Sequence, residues 1–143
     1  MNISKFTQKS VEILNNLEKI AYDFGAQEIA QEHLLYGMLT VEDSLIKKLI
    51  EKMEIDSDVF LAQVEGAVRK RPQVQGGQVY IGQDLNKVLV YAENEAKALG
   101  DEYVSVEHLF LSLLRKPSSC STIFRLTAKD FCRLFRKSEE IKK

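Results

Sequence analysis

The chain has 143 residues, of which 45% are hydrophobic and 29% charged, and its formal net charge is -1 at pH 7. This length and composition are typical of one globular domain, and no apolar run approaches the roughly 20 residues that span a membrane. The first residues lack the apolar block of a signal peptide, so the sequence predicts a cytoplasmic protein. The two cysteines, Cys120 and Cys132, have no histidine or further cysteine at metal-binding spacing and are predicted to be free thiols.

The first helix is predicted to begin after Thr7, a favourable N-cap residue, and to continue to Gly25. Glycine suits the left-handed backbone position that follows the end of a helix. The apolar side chains between these two residues recur three and four positions apart, which is the spacing of one helix face. They are Leu14, Leu17, Ala21 and Phe24.

Three shorter helices are predicted next: one over about Gln31–Leu39, one from Ser44 and one capped by Asp56. Pro72 cannot continue the last of them, and residues 71–78 are predicted to form a connector. Residues 78–81 are expected to be extended, and no other segment is predicted to form a strand.

The chain is internally duplicated, because residues 14–39 recur 75 positions later as residues 89–114. The identical positions include Gly25 and Gly100, Glu32 and Glu107, and His33 and His108. A duplicated helical unit predicts an all-α fold of two pseudo-symmetric four-helix repeats, about eight helices in all, packed as one domain. In this single domain of residues 1–143, repeat one is 1–70, the connector is 71–81 and repeat two is 82–138.

The second repeat is predicted to begin near Gly82, to break at Gly100 and to resume with a helix capped by Ser105. A last helix is expected where Leu126–Phe131 aligns with Ile55–Phe60, at a spacing of 71. Residues 115–143 hold nine basic and three acidic residues, a net charge of +6. Such a tail suits nucleic acid, but its basic residues alternate with apolar ones, which favours a solvated helix face.

The pairs Glu32-His33 and Glu107-His108 contain the only histidines, and both fall in the first turn of a helix. No third histidine or cysteine completes a metal site, so we expect the pairs to be structural rather than metal-binding or hydrolytic. The sequence has no P-loop and no nucleophile elbow, so the chain is predicted not to be an enzyme and to bind no cofactor itself. It has no tryptophan to stack on bases, and neither a nucleic-acid nor a membrane partner is predicted.

Tyr91 falls outside the apolar stripe of the first helix of repeat two. The helices of a duplicated unit leave a groove where they meet, and an exposed aromatic side chain beside it suits an apolar peptide segment. The alternative is a tyrosine that lies at the margin of the core.

Three stretches resemble the Clp amino-terminal repeat domain: Asn2–Ser10, Gln31–Leu35 and Leu99–Leu109. The connector Arg71–Tyr80 most resembles that of ClpB-type disaggregases, which are AAA+ chaperones, rather than that of ClpA or ClpC. The resemblance covers residues 1–118 and includes the duplication.

This resemblance implies a mobile appendage of a hexameric ATPase, whose ATP and Mg would bind the full-length protein outside this chain. The appendage would capture exposed apolar segments of unfolded or aggregated polypeptides, and the machine would work with a chaperone of the seventy-kilodalton class. In ClpB-type relatives, substrate handling is associated with the positions of Thr7, Leu89, Tyr91, Asp101 and Glu107. Leu89 and Tyr91 would line the groove, and the other three would form its polar rim.

ClpC-type relatives imply an alternative, an adaptor or phosphoarginine-degron docking domain of a Clp protease ATPase. In that case Glu32 and Glu107 would each recognise the guanidinium of a phosphorylated arginine. Free phosphoarginine separates the two functions, because only the docking domain predicts saturable binding of so small a ligand.

Overall fold

The computed structural model describes residues 3–73 and 77–115, and these ranges contain seven α-helices and two short strands. After a 3-10 helix at Ile3–Lys5, they are α1 (Gln8–Asn15), α2 (Leu17–Asp23), β1 (Glu28–Ile29), α3 (Gln31–Thr40), α4 (Leu45–Lys52), α5 (Ser57–Arg69), β2 (Tyr80–Ile81), α6 (Gln83–Ala98) and α7 (Val106–Arg115). The predicted all-α fold is confirmed. The helix expected near Leu126–Phe131 and both cysteines lie outside the described residues.

Side chains cap four helices at the predicted residues, and at α7 Ser105 Oγ accepts a hydrogen bond from the His108 N–H at 3.4 Å. The Thr7 hydroxyl accepts a hydrogen bond from the Ser10 N–H at 3.3 Å, and Ser44 Oγ accepts one from the Lys47 N–H at 3.1 Å. Asp56 Oδ1 accepts from the Asp58 N–H at 2.9 Å. Each cap satisfies a backbone donor that the first turn of a helix leaves without a partner.

The first predicted helix is wrong in one respect, because it is divided at Asn16 into α1 and α2. The Asn16 N–H donates to the Ile13 carbonyl at 3.2 Å, three residues back instead of four. The last turn of α1 is therefore of the tighter 3-10 type, and α2 begins after it. Asparagine competes with the helix backbone for hydrogen bonds and disfavours the helix interior. Shifted by 75 positions, Asn16 corresponds to Tyr91, and α6 runs through that position without a break.

Both long first segments end at a glycine, as predicted. Gly25 and Gly100 have φ angles of 71° and 74°, in the left-handed region that other residues rarely adopt. The glycines turn the chain into two equivalent loops, residues 24–30 and 99–105. These loops precede α3 and α7, and they differ at Ala26, whose equivalent is Asp101.

The two repeats exchange backbone pairing. Strand β1 pairs in parallel with β2, matching Ile29 with Ile81, and Phe6 forms an isolated parallel bridge with Val104. A shift of 75 positions turns Ile29 into Val104 and Phe6 into Ile81, so the two pairings are equivalent. Strand β1 was not predicted, and the expected extended segment at residues 78–81 contributes β2 to this ladder. Each repeat thus pairs its loop with the leading segment of the other, and backbone pairing joins the two repeats.

Helices α3 and α7 occupy equivalent places at the centre of the core, and eight of the ten residues of each are buried. The first-repeat helices approach α3 at Gly37, where a Cβ would lie 3.3 Å from Ile20 Cδ1. The equivalent residue of α7 is Ser112, whose hydroxyl donates to the Val88 carbonyl at 2.7 Å. Among the described residues, no helix combines the length and apolar character needed to cross a membrane.

Candidate functional site

Both histidines fasten the start of a central helix. His33 Nδ1 accepts a hydrogen bond from the Ala30 N–H at 2.8 Å, and His108 Nδ1 accepts one from the Ser105 N–H at 2.8 Å. Each histidine therefore takes the place that glutamate or glutamine fills in a capping box. Because Nδ1 accepts, the neutral ring carries its proton on Nε2. This geometry agrees with the structural role predicted for the two Glu-His pairs.

The two rings differ at Nε2. His108 Nε2 donates to Asp101 Oδ2 at 2.8 Å. Asp101 corresponds to Ala26 in repeat one, and His33 Nε2 is buried with no hydrogen-bond partner in the described part of the chain. Burial lowers the pKa of His33, and the Arg71 charge lowers it further, against the opposing effects of Glu32 and of the Ala30 N–H.

Acid is expected to destabilise the domain through His33. Because its pKa is lowered on folding, the unfolded chain binds the proton more readily, and this part of the stability is complete above the unfolded pKa of about 6.5. It should decline as the pH falls from there towards the folded pKa, by at most about 1.4 kcal/mol per pH unit. Urea unfolding between about pH 7.5 and pH 5 measures the slope.

The matched variant is His33→Gln, whose side-chain oxygen can still accept from the Ala30 N–H but does not titrate. Its stability should vary less with pH over this interval than that of the wild type. Equal slopes in the two proteins would show that His33 does not carry the effect.

Three of the five predicted substrate-binding residues, Thr7, Asp101 and Glu107, lie in loop 99–105 or next to it. The Thr7 N–H donates to the Val104 carbonyl at 2.9 Å, and Asp101 is held by His108. Glu107 lies half-buried in the first turn of α7. Two neighbours that sequence reasoning missed, Leu99 and Tyr103, are 42% and 50% exposed. We call these residues the second-repeat surface: Thr7, Leu99, Asp101, Tyr103 and Glu107.

The other two predicted residues lie elsewhere on α6. Leu89 is 3% exposed and belongs to the core, whereas Tyr91 is 38% exposed on the outer side of the helix. Leu99 follows Tyr91 by eight positions, a helical rise of about 12 Å. Tyr91 is therefore accessible, as its position off the apolar stripe predicted, but it stands apart from the second-repeat surface.

Glu32 and Glu107, the predicted phosphoarginine-binding pair, have different surroundings. The Glu32 side chain is 1% exposed, and its Oε2 lies 3.3 Å from Arg71 Nε. Glu107 is half-buried, and no ion pair joins it to another residue of the described ranges. Sequence reasoning missed the ion pair of Arg71 with Glu32. The one feature of the sequence that marks Arg71 is its position directly before Pro72, where α5 has ended.

Within residues 3–73 and 77–115, no three histidine, cysteine or acidic side chains converge on a point that could hold a metal ion. The histidines that sequence reasoning considered as ligands are occupied at Nδ1 by backbone N–H groups. The arrangement offers a surface with carboxylates, a hydroxyl and exposed apolar side chains.

Residues 5–126 match the family described as the Clp repeat (R) N-terminal domain. The chain belongs to this family. The chaperone protein ClpB of Nitratidesulfovibrio vulgaris is 40% identical over 136 residues, which cover 92% of this Clp N-terminal domain and 16% of the relative. The chain thus spans about one sixth of the length of that curated relative.

Solved structures show the same fold. The Hsp104 N-terminal domain from Candida albicans matches with a TM-score of 0.81 at 20% identity, covering 91% of this chain and 88% of that one. A ClpV N-domain in complex with a VipB peptide matches with a TM-score of 0.68 at 17% identity, covering 88% of this chain and 75% of that one. The predicted resemblance to Clp amino-terminal domains and ClpB-type chaperones is confirmed.

Proposed function

We propose that this chain is the substrate-binding amino-terminal domain of an ATP-dependent protein disaggregase. It captures exposed apolar segments of unfolded or aggregated polypeptides for the hexameric ATPase ring of its own full-length protein. That protein is a cytoplasmic AAA+ ATPase that uses ATP and Mg and works with a chaperone of the seventy-kilodalton class. The chain itself is not an enzyme and takes no cofactor.

The observation that carries the proposal is the second-repeat surface. Leu99 and Tyr103 expose about half of their area on either side of Asp101, and the hydrogen bond from His108 fixes that carboxylate. Exposed apolar side chains rimmed by fixed polar groups suit an apolar segment of another chain. The similarity to ClpB chaperones supports the proposal, and so does the peptide complex of a ClpV N-domain of the same fold.

Tyr91 extends the proposed contact along α6. The rise of about 12 Å from Tyr91 to Leu99 matches about four residues of an extended polypeptide. A client segment of that length reaches from the loop to the exposed tyrosine. Leu89 does not contact the client in this proposal, because it is buried. It contributes to binding indirectly, by packing α6 against the core.

A titration with a permanently unfolded client tests the proposal. Amide chemical shifts should move at residues 99–107, at Thr7 and at Tyr91. The double variant Leu99→Ser/Tyr103→Ser should weaken binding about tenfold or more, since each truncated side chain of a binding centre contributes roughly 1 kcal/mol or more.

The control is the double variant Tyr22→Ser/Val59→Ser, which also removes one tyrosine and one aliphatic side chain. These residues are 78% and 54% exposed in repeat one, on α2 and α5. The control should bind the client like the wild type. Equal losses in both double variants would reduce the result to nonspecific hydrophobic adsorption, and the absence of any shift would contradict client capture.

The second candidate is a phosphoarginine or adaptor docking domain, and the accessible Glu107 favours it. Glu107 lies half-buried in the first turn of α7, and no ion pair joins it to another of the described residues. A carboxylate without a cation beside it in this part of the chain suits the guanidinium of a phosphorylated arginine. Because Arg71 holds Glu32, we expect one such site rather than two.

Free phosphoarginine should therefore bind with a stoichiometry near one if this second function is correct. Glu107→Gln should abolish the binding, while Glu12→Gln, an exposed acid of α1, should leave it unchanged. Calorimetry with the free amino acid measures both the affinity and the stoichiometry. No saturable heat would remove this candidate without affecting client capture.

A further inference from the structure

The histidine of repeat two has two polar side-chain partners that repeat one lacks. Asp101 Oδ2 lies 2.8 Å from His108 Nε2, and Ser105 Oγ lies 2.8 Å from His108 Nδ1. At a shift of 75 positions, Asp101 corresponds to Ala26 and Ser105 corresponds to Ala30. Repeat one therefore keeps the histidine and replaces both of its side-chain partners with alanine.

His33 is buried in an environment that suits only its neutral form. It is 0% exposed, its Nδ1 accepts the Ala30 N–H at 2.8 Å, and its Nε2 has no hydrogen-bond partner among the described residues. Burial lowers the pKa of His33, Glu32 on the same helix raises it, and Arg71 on the connector lowers it. Arg71 also lies 3.4 Å from Glu28 of β1, the third charged group of this cluster.

Protonation of His33 is incompatible with the hydrogen bond that caps α3. The cation carries a hydrogen on both ring nitrogens, so Nδ1–H and the Ala30 N–H would be two donors facing each other. The cap is then lost, and the ring or Ala30 has to move. In repeat two the same cation keeps two acceptors, because the Ser105 hydroxyl can accept from Nδ1–H and the Asp101 carboxylate accepts from Nε2–H.

The connector runs along loop 24–30 and ends in β2, so the cap of α3 adjoins the pairing between the repeats. Ala30 follows Ile29, whose carbonyl accepts the Gly82 N–H at 2.9 Å. The Gln27 carbonyl accepts the Tyr80 N–H at 3.0 Å. A displacement of Ala30 therefore disturbs the strand to which β2 is bonded.

We propose that His33 is a proton-operated release for the connector: when its ring is protonated, α3 loses its cap and β2 separates from β1. The pairing of Phe6 with Val104 stays closed, because His108 retains an acceptor at each ring nitrogen. Acid thus opens the backbone pairing at loop 24–30 and leaves the equivalent pairing at loop 99–105 intact. This regulation does not depend on client capture and stands or falls separately.

Hydrogen exchange compares the two pairings within one molecule. After correction for the intrinsic exchange rate, protection of the Tyr80 and Gly82 amides should fall about tenfold between about pH 7.5 and pH 5.5. The reason is that each opening takes up one proton, on a histidine whose pKa in the open form is near its ordinary value of about 6.5. The amides of Thr7 and Val104, which form the other pairing, should keep their protection.

Two outcomes of this comparison would overturn the proposal. Unchanged protection at Tyr80 and Gly82 would show that the connector stays closed in acid. Equal losses at both pairings would show general acid destabilisation, which protection of the α7 amides reports independently. The ring nitrogen shifts of His33 should also change with the same midpoint as the loss of protection, and a different midpoint would separate the proton from the opening.

Variants of repeat one test whether the missing partners create the release. Ala26→Asp/Ala30→Ser gives His33 the side-chain partners that His108 has, and the pH dependence of protection at the β1–β2 pairing should disappear. His33→Gln keeps an acceptor for the cap but does not titrate, so it should remove the pH dependence as well. If His33→Gln retains the tenfold loss, another group opens the connector and the proposal is wrong.

The reciprocal change in repeat two keeps the test decisive if the buried substitutions in repeat one prevent folding. Asp101→Ala/Ser105→Ala alters two half-buried loop residues and removes both side-chain partners of His108. The amides of Thr7 and Val104 should then lose protection in acid, as those of the β1–β2 pairing do in the wild type. If they stay protected, a histidine without these partners is not sufficient to open a pairing, and the proposal fails.

Discussion

Replacing Arg71 with alanine should destabilise the domain by about 3 kcal/mol, the lower end of the cost of breaking a buried ion pair. The reason is Glu32, whose carboxylate is 1% exposed and would lose the cation 3.3 Å away. The lower end applies because Arg71 itself is partly exposed and water can enter the space it leaves. Urea unfolding of the variant and the wild type measures the difference.

Neighbouring changes fix the interpretation of that result. Lys70→Ala should change the free energy of unfolding by no more than about 0.5 kcal/mol, because Lys70 is exposed. Adding Glu32→Gln to Arg71→Ala should restore much of the lost stability, since an amide is less costly to bury than a charge. If Arg71→Ala and Lys70→Ala have the same free energy of unfolding, water screens the ion pair of Arg71 with Glu32, and the pair makes no measurable contribution to stability.

Features that depend on a few neighbouring residues could be predicted from the sequence. The caps at Thr7, Ser44 and Asp56 each require a side-chain oxygen next to the start of an apolar pattern, and all three are observed. The 75-residue repeat predicted two equivalent histidines, and both accept a backbone N–H at 2.8 Å. In each case the determining contact lies within one helical turn.

Features that depend on the meeting of distant segments could not be predicted. The break at Asn16 lies inside an uninterrupted apolar stripe, and the helix penalty of one asparagine is only about 0.5 kcal/mol, too small to reveal it. The parallel pairing of β1 with β2 involves two residues on each side, which is shorter than any strand pattern. The pairing can be explained only from the structure, in which the loop of each repeat pairs with the leading segment of the other.

The candidate site divides in the same way. Tyr91 could be identified as accessible because a helix stripe defines its outer face, and it is 38% exposed. The exposure of Leu99 and Tyr103 depends on which distant segments pack over loop 99–105. The spacing of apolar residues within the loop does not contain that information. The contact of Arg71 with Glu32 joins residues 39 positions apart, and it depends on the route of the connector over loop 24–30.

Leu89→Ala is expected to destabilise the domain by about 3 kcal/mol, whereas Tyr91→Ala should cost less than about 1 kcal/mol. Leu89 is 3% exposed between α6 and the rest of the core, so truncation leaves a cavity, while Tyr91 stands at the surface. The two residues are two positions apart on one helix, which makes them a matched pair. Urea unfolding measures stability, and the unfolded-client titration measures binding at a temperature where both variants are folded.

The two measurements together decide which residue contacts the client. If folded Leu89→Ala binds the client normally and Tyr91→Ala binds it more weakly, then Leu89 acts through packing and Tyr91 through contact. If Leu89→Ala instead unfolds like the wild type but loses client binding, then α6 exposes Leu89 in a second arrangement that clients select. In that case the groove is formed by movement of α6, and the buried position of Leu89 describes the state that precedes capture.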